Sequence, residues 1–293
     1  MASWLNTIIQ GILLGGLYAL FAVGLSLVFG TMRLVNLAHG DLSVLAAYVA
    51  LILVGTGTAR FNPLYSIPMV MVIMFVIGYA LQRGLLNFIV QKGDVQGVIV
   101  TFGLSIVIMN ALQQAFTANS RGLDAGKVEN VSITISKGLA IGWLPLMIFL
   151  MALVVISALQ LYMGRTKMGR AFRAVSDDQE AARLMGINTK HLWAVAMGVA
   201  LLILSIGGVM LGIRTTFNPL LGSDRLIFAF EAVIIGGMGS AWGTLLGGII
   251  LGVAQLVGAK AFGAPWQILA GHVVFVIILA LRPQGLLAKT VTA

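Results

Sequence analysis

The chain has 293 residues, no cysteine and a formal charge of +9; it is 59% hydrophobic and only 9% charged. A soluble domain carries about 25% charged residues, and several runs here reach the ~18–20 apolar residues that cross a bilayer, so a soluble fold is excluded. Backbone amides in lipid must be satisfied within their own segment, and the runs lack the alternation of a barrel, so an all-α polytopic helical bundle is expected.

The absence of cysteine rules out disulfides, thiolate metal sites and thiol nucleophiles. Three scattered histidines offer no metal site. The basic excess, without interleaved aromatic residues, points to loops held on one side of a membrane rather than to nucleic acid.

The first apolar run, Leu5 to Phe29 with Trp4 at its interface, has no basic leading region and exceeds a signal core in length. It is expected to stay as the first span. The second, 34–54, opens on "VNLAHGDLS" (35–43), which places Asn36, His39 and Asp41 at the start of an apolar stretch. A charge at a helix centre costs about 2.5–3.5 kcal/mol on insertion scales, so such groups face protein or water and mark pathways. Asp41 follows Gly40 and has a second reading, as a cap for a helix from Leu42 onward, with Asn36, His39 and Gly40 forming a kink or half-helix. The two readings are compatible, because helix ends inside membranes serve as solute sites. His39 reads as a hydrogen-bonded structural residue rather than a proton carrier.

Spans at 63–82 and 96–118 follow. The polar loop 119–137 contains "VSITIS" (131–136), whose alternation predicts a short strand. A fifth span covers 138–162.

The segment from Arg165 to Lys190 then gathers nine of the chain's 27 charges. Met168, Ala171, Phe172 and Val175 fall at helical spacing with Arg165, Lys167, Arg170 and Arg173 on other faces, which predicts a basic amphipathic helix along the inner leaflet. After it comes a short helix with both ends marked. Ser176 and Gln179 match a capping box, and Asp177, Asp178 and Glu180 fill the first turn, where the helix dipole favours anions. Gly186 can adopt the left-handed conformation that ends a helix, Ile187 can fold back on the last turn, and Asn188 or Thr189 can cap the next span. Ala181 and Ala182 permit close approach, and Leu184 with Met185 supplies an anchor. The segment is therefore expected to dock a partner, the alternative being a solvated connector.

Beyond the span at 192–214, the stretch 226–260 is too long for one crossing and short for two. "GGMGSAWG" (236–243) interrupts it, predicting a broken or re-entrant pair at 226–238 and 241–260. With a last span at 264–281, eight to ten crossings are expected. Glu231 is read as snorkelling, as pairing with Arg214 or Arg225, or as lining a pathway; His272 is a weaker candidate. Gly239, Gly243 and Gly247 are spaced by four, as are Gly11 with Gly15 and Gly208 with Gly212, a pattern that lets helices pack closely. Neither "GGMGSAWG" nor "GRTKMGRA" (164–171) carries the Lys-Ser/Thr of a phosphate loop.

If 163–191 is cytoplasmic, alternation places Arg33, Arg83, Lys92, Arg282 and Lys289 inside as well. Arg60, Arg121, Lys127, Lys137, Arg214, Arg225 and Lys260 then lie outside, a balance of 11 basic residues to 7. The N-terminus is expected outside and the C-terminus inside. No linker or second soluble region interrupts 1–293, so a single transmembrane domain is expected, with 163–191 a loop within it.

"EAARLMG" (180–186) resembles the EAA-x-x-x-G motif of bacterial ABC importer permeases, although the Ile-x-Leu-Pro that usually follows is replaced by "HLWAVAMG". With "GLYALFAVGLSLVFGTMRLVNLAHGDLSVLAAY" (16–48), "GRAFRAVSDDQEAARLMGI" (169–187), "FEAVIIGGMGSAWGTLLGG" (230–248) and "LRPQGLL" (281–287), nearly the whole chain resembles the branched-chain amino acid ABC transporter permease family, its H-type subunits in particular. Relatives of that kind also carry urea and short amides.

The resemblance implies a type II-like importer permease of the bacterial inner membrane. Its partners would be a second permease, related or identical, two cytoplasmic ATPases holding ATP and Mg, and a periplasmic solute-binding protein. It implies ATPase docking through Asp177, Asp178, Glu180, Ala181, Ala182, Leu184, Met185 and Gly186. No catalytic, cofactor or metal residue is expected on this chain. The alternative of another class is a self-sufficient secondary transporter or channel, for which Asp41 and Glu231 are the acidic candidates; an intramembrane enzyme lacks a paired nucleophile and base.

Overall fold

The computed structural model describes residues 2–55, 61–90, 92–136 and 139–287. Arg60, Lys137 and Lys289, which entered the charge balance, lie outside the described residues. The elements in order are α1 (Ala2–Met32), α2 (His39–Val54), α3 (Pro63–Gly84), α4 (Asp94–Phe116), a single turn α5 (Lys127–Asn130), strands β1 (Ser132–Ser136) and β2 (Leu139–Gly142), α6 (Trp143–Arg165), α7 (Lys167–Asp177), α8 (Gln179–Leu184), α9 (Thr189–Arg214), α10 (Gly222–Gly236), α11 (Ala241–Phe262) and α12 (Trp266–Leu281). The architecture is the expected all-α polytopic bundle, and the alternation in "VSITIS" becomes β1 of an antiparallel hairpin with Ile133 opposite Ile141.

Among the described residues six helices, α1, α3, α4, α6, α9 and α11, are long and apolar enough to cross a membrane. Apolarity alone does not place them, because lipid is as apolar as a neighbouring helix; small residues do. α1 and α9 form the centre, their most apolar stretches 89% and 83% buried against 17% for α4. α9 is lined by Ala194, Ala196, Gly198, Ala200, Ser205, Gly207 and Gly208, all in the interior or at its edge. α3 instead turns Tyr65, Met69, Val72 and Val76 outward at helical spacing, as a helix facing lipid or another subunit does.

α1 and α11 meet backbone to backbone along a glycine seam. A Cβ on Gly15 would stand 2.4 Å from the Cα of Ile249, and one on Gly252 would stand 2.4 Å from the Gly11 carbonyl oxygen. Gly243 and Gly247 do the same between α10 and α11, where an added Cβ would come within 2.2 Å of the Gly236 oxygen and 2.1 Å of the Ala232 oxygen respectively. Gly239 departs from the expected pattern. It lies in the turn joining α10 to α11, at φ +83°, and its N–H donates to Ser26 Oγ at 3.1 Å. The spacing of four runs through it by coincidence of a turn, not along one helix face.

The short helices are the informative ones. The chain leaves α1 at Met32, turns at Arg33 (φ 51°) and runs back through the irregular segment 34–38 before α2 opens at His39. His39 Nε2 bonds the Phe21 carbonyl at 2.8 Å. Phe21 lies eleven residues before the end of α1, about 16 Å along it. So α2 starts inside the bundle. α10 also starts there: a Cβ on Gly222 would meet Asp41 Oδ1 at 1.9 Å, and one on Gly40 would meet the Gly222 oxygen at 1.9 Å. The expected broken pair in 226–260 is thus α10, a 15-residue half-span, followed by the full α11.

Candidate functional site

At the end of the bundle reached by α6 and α9, the segment 163–191 folds into a jointed rod. Thr166 caps α7, its Oγ1 accepting from Gly169 N at 2.9 Å. α7 buries Gly169, Phe172 and Val175, with Met168 and Ala171 packed partly against the same core. The apolar stripe therefore rests on α1, α6 and α9 rather than on lipid, which corrects the expectation of a leaflet-bound helix; lipid and protein reward the same stripe. Arg173 Nη1 donates to the Met163 oxygen at 3.0 Å, and Lys167 and Arg170 stay exposed.

The cap between α7 and α8 also differs from the expected box. Ser176 remains helical in α7 and its hydroxyl donates to the Gly30 carbonyl at the end of α1. Asp177 is the last residue of α7. Asp178 is the cap, its Oδ1 accepting from Glu180 N at 2.8 Å and Ala181 N at 3.0 Å. With adjacent candidates, tertiary demand for Ser176 decided which one became the cap.

The far end matches the expectation. Gly186 has φ +81°, its N–H donates to the Arg183 oxygen at 2.9 Å, and Ile187 N reaches the Ala182 oxygen at 3.0 Å. This is the paired bonding of a Schellman stop. Asn188 Oδ1 then caps α9 by accepting from His191 N at 3.0 Å.

α8 has two faces. Ala182 is buried and seats it on the bundle, so it does not belong to an outward docking face. Arg183 ties it to α9 through Thr189 Oγ1 at 3.1 Å and lies 5.8 Å over the Trp193 ring. Glu180, Ala181, Leu184, Met185 and Gly186 face outward, Leu184 and Met185 at 88% and 82% exposure. These two large apolar side chains give α8, held at both ends, an apolar outward face.

Inside the bundle, Asn36, His39 and Asp41 come together where α2 begins. Asn36 Oδ1 accepts from Ala38 N at 3.1 Å. Asp41 is not a cap; it lies in the first turn of α2, and its Oδ2 accepts from Ser105 Oγ on α4 at 2.5 Å. Thr101, one turn before Ser105, serves the irregular segment, its hydroxyl accepting from Leu37 N at 3.2 Å. Non-helical backbone at membrane depth persists only where protein or water satisfies it, and α4 supplies that here. Thr101 and Ser105 were missed in the sequence; their signal was two hydroxyls four apart in an apolar run.

Glu231 stands elsewhere, on the face of α10 toward α12. It pairs with His272 Nδ1, not with Arg214 or Arg225. Beside it Tyr18 hydroxyl donates to Gln255 Oε1 at 2.6 Å, and the Phe228 ring lies between Tyr18 and His272, 5.2 Å and 6.4 Å away. The four pathway candidates thus occupy two separate places, Asn36, His39 and Asp41 on one side of α10 and Glu231 on another.

A bundle of membrane-crossing helices, with half-helices meeting inside it and an anchored rod at one end, defines a multi-pass membrane protein. The family described as "Branched-chain amino acid transport system / permease component" matches residues 7–281, and the chain belongs to that family. It is a permease component rather than an enzyme.

The chain is similar to the high-affinity branched-chain amino acid transport system permease protein BraD of Pseudomonas aeruginosa, 29% identical over 98% of this chain and 96% of that one. LivH of Escherichia coli strain K12, a permease protein of the same description, is 27% identical with the same coverage. The ribose import permease RbsC of that organism is 27% identical over 80% of this chain and 72% of its own. No solved structure gives a significant match.

Proposed function

We propose that the chain acts as one transmembrane domain, 1–293, of an ATP-driven importer for branched-chain or other hydrophobic amino acids in a bacterial inner membrane. A second permease, related or identical, completes the pathway. Two cytoplasmic ATPases carrying ATP and Mg dock on the coupling segment 163–191, and a periplasmic protein delivers the solute. The N-terminus is periplasmic and the C-terminus cytoplasmic.

The observation that carries this reading is the rod itself. Asp178 and Gly186 fix both ends of α8, Leu184 and Met185 project from it, and its neighbours α6 and α9 enter the bundle directly. Closure of the ATPase pair would move α8 together with α7, which bonds α1 at Gly30. Force then reaches two central helices, α1 and α9. The pathway residues Asn36, His39 and Asp41 lie where α2, α4 and α10 converge, and Glu231 lies toward α12. A solute shifts the outward–inward equilibrium only by its differential affinity for the two states, so no strong site is required. The amino-acid cargo is favoured over other solutes by the near-complete coverage of the amino-acid relatives against the partial coverage of the ribose permease.

In the assembled transporter, Glu180→Lys reverses a charge on the exposed face, and Gly186→Val forces a β-branched residue into positive φ. Both should abolish solute-stimulated ATP hydrolysis while membrane insertion stays normal. Full stimulation in both variants would refute the docking role.

A further inference from the structure

Three arginines away from the rod make no ion pair among the described residues, and one of them, Arg225, stands inside the bundle in the first turn of α10. Arg121 lies on a loop segment bonded to the chain after α9, with Arg121 N to Phe217 O at 2.8 Å and Phe217 N to Arg121 O at 2.7 Å. Arg214 ends α9 and Arg225 sits in the first turn of α10, while the Arg121 guanidinium turns to Phe116, donating from Nη2 to its carbonyl at 2.9 Å and lying 6.0 Å from its ring centre. The Arg214 and Arg225 guanidiniums are near enough to influence each other and the Tyr18 hydroxyl.

Each arginine has a buried nitrogen without a hydrogen-bond partner: Arg121 Nε, Arg214 Nη1 and Arg225 Nε. Among the described residues the only side-chain ion pair is His272 with Glu231, so none of the three meets a carboxylate. The acids close by bond elsewhere or stay exposed, Asp224 acting on Arg225 only from beyond ion-pair distance. Asp124 accepts from Gly126 N, Glu129 accepts from Ala125 N, and Asp224 is exposed.

Several costs converge on these groups. Buried donors left unmet are destabilising, Arg225 lies near a helix start where the dipole disfavours cations, and basic residues on the outer side oppose the usual retention of charge inside. A guanidinium presents a planar fork of N–H groups that matches a carboxylate two bonds at a time. One turn beyond Arg225, Phe228 packs against Tyr18 at 5.2 Å.

We infer that Arg214 and Arg225 form a cationic station inside the bundle that takes the carboxylate of the incoming amino acid. The inference rests on the amino-acid import proposed above and names the group through which this permease first holds its cargo. The unmet nitrogens are buried rather than at the surface, which suits a small anion more than the side chains of a docking protein.

The test uses the complete transporter in proteoliposomes, with labelled leucine and its solute-loaded binding protein. Arg214→Gln and Arg225→Gln should lower leucine moved per ATP by about five-fold or more, with the half-saturating concentration of loaded binding protein unchanged. Arg214→Lys, which keeps the charge and loses the fork, should fall between. Leucine per ATP at the wild-type level in both Gln variants would overturn the inference, and so would transport and hydrolysis falling together, since that marks a structural role. A rise confined to the half-saturating concentration would overturn it too, by making the patch a protein-docking surface. A wild-type transporter that moves leucine while the variants match it removes this inference alone; one that moves no amino acid removes the proposed function as well.

Discussion

At Asp178 one carboxylate oxygen holds two amide hydrogens that the start of α8 would otherwise leave open. Removing an N-cap of this kind costs about 0.5–2 kcal/mol. Asp178→Ala should therefore speed amide exchange across 180–184 by about five-fold and weaken solute-stimulated ATP hydrolysis, whereas Asp178→Asn, which keeps an accepting oxygen, should stay near wild type. Exchange measured by mass spectrometry on the purified chain checks the first half; equal protection in Ala and Asn variants would remove the cap from the account. Residue-scale reading worked where the chemistry was local. Gly186 and Asn188 behave as their types and positions require. It failed where a distant group competed: Ser176 was drawn to Gly30 of α1, and Glu231 to His272 of α12, partners with no local signature.

Among the elements, the α1–α11 seam shows what glycine does inside lipid. Without a hydrophobic force between helices, their association depends on close packing, which a side chain at the seam prevents. A Cβ on Gly15 would press the Ile249 backbone, so Gly15→Ala should destabilise the bundle by about 1–3 kcal/mol. Gly103, in α4, has nothing within 4 Å of an added Cβ, and Gly103→Ala should stabilise by about 0.5–1 kcal/mol through helix propensity alone. Thermal unfolding in detergent should place the two variants on opposite sides of wild type. The same spacing of four misled at Gly239, because period in sequence becomes a helix face only where the helix is continuous. α7 teaches the same lesson for amphipathic patterns: spacing identified its apolar stripe, and the bundle rather than the leaflet covers it.

For the whole molecule, the rod and the turn after Arg214 lie at opposite ends of α9, so each should be reached from one side of the membrane. The chain lacks cysteine, which makes single substitutions a clean map. Cysteine replacing Arg183 should react with an impermeant thiol reagent only after the cytoplasmic side is opened, and cysteine replacing Thr216 should react in intact cells; both positions are exposed. The reverse pattern would invert the proposed orientation.

Helix type, the strand in 131–136 and the C-terminal stop of the rod were determined by the sequence itself, because backbone hydrogen bonding and cap chemistry act over a few neighbouring residues; residues 139–142, expected to open the fifth span, became β2 instead. The meeting of α2 with α10 at Gly40 and Gly222, the Asp41–Ser105 bond, the Glu231–His272 pair and the placing of Arg214 and Arg225 without an ion pair among the described residues were decided only in the tertiary structure. Each contact among these joins residues tens to hundreds of positions apart, and in a medium where every span is equally apolar, hydropathy carries no record of which helix stands beside which.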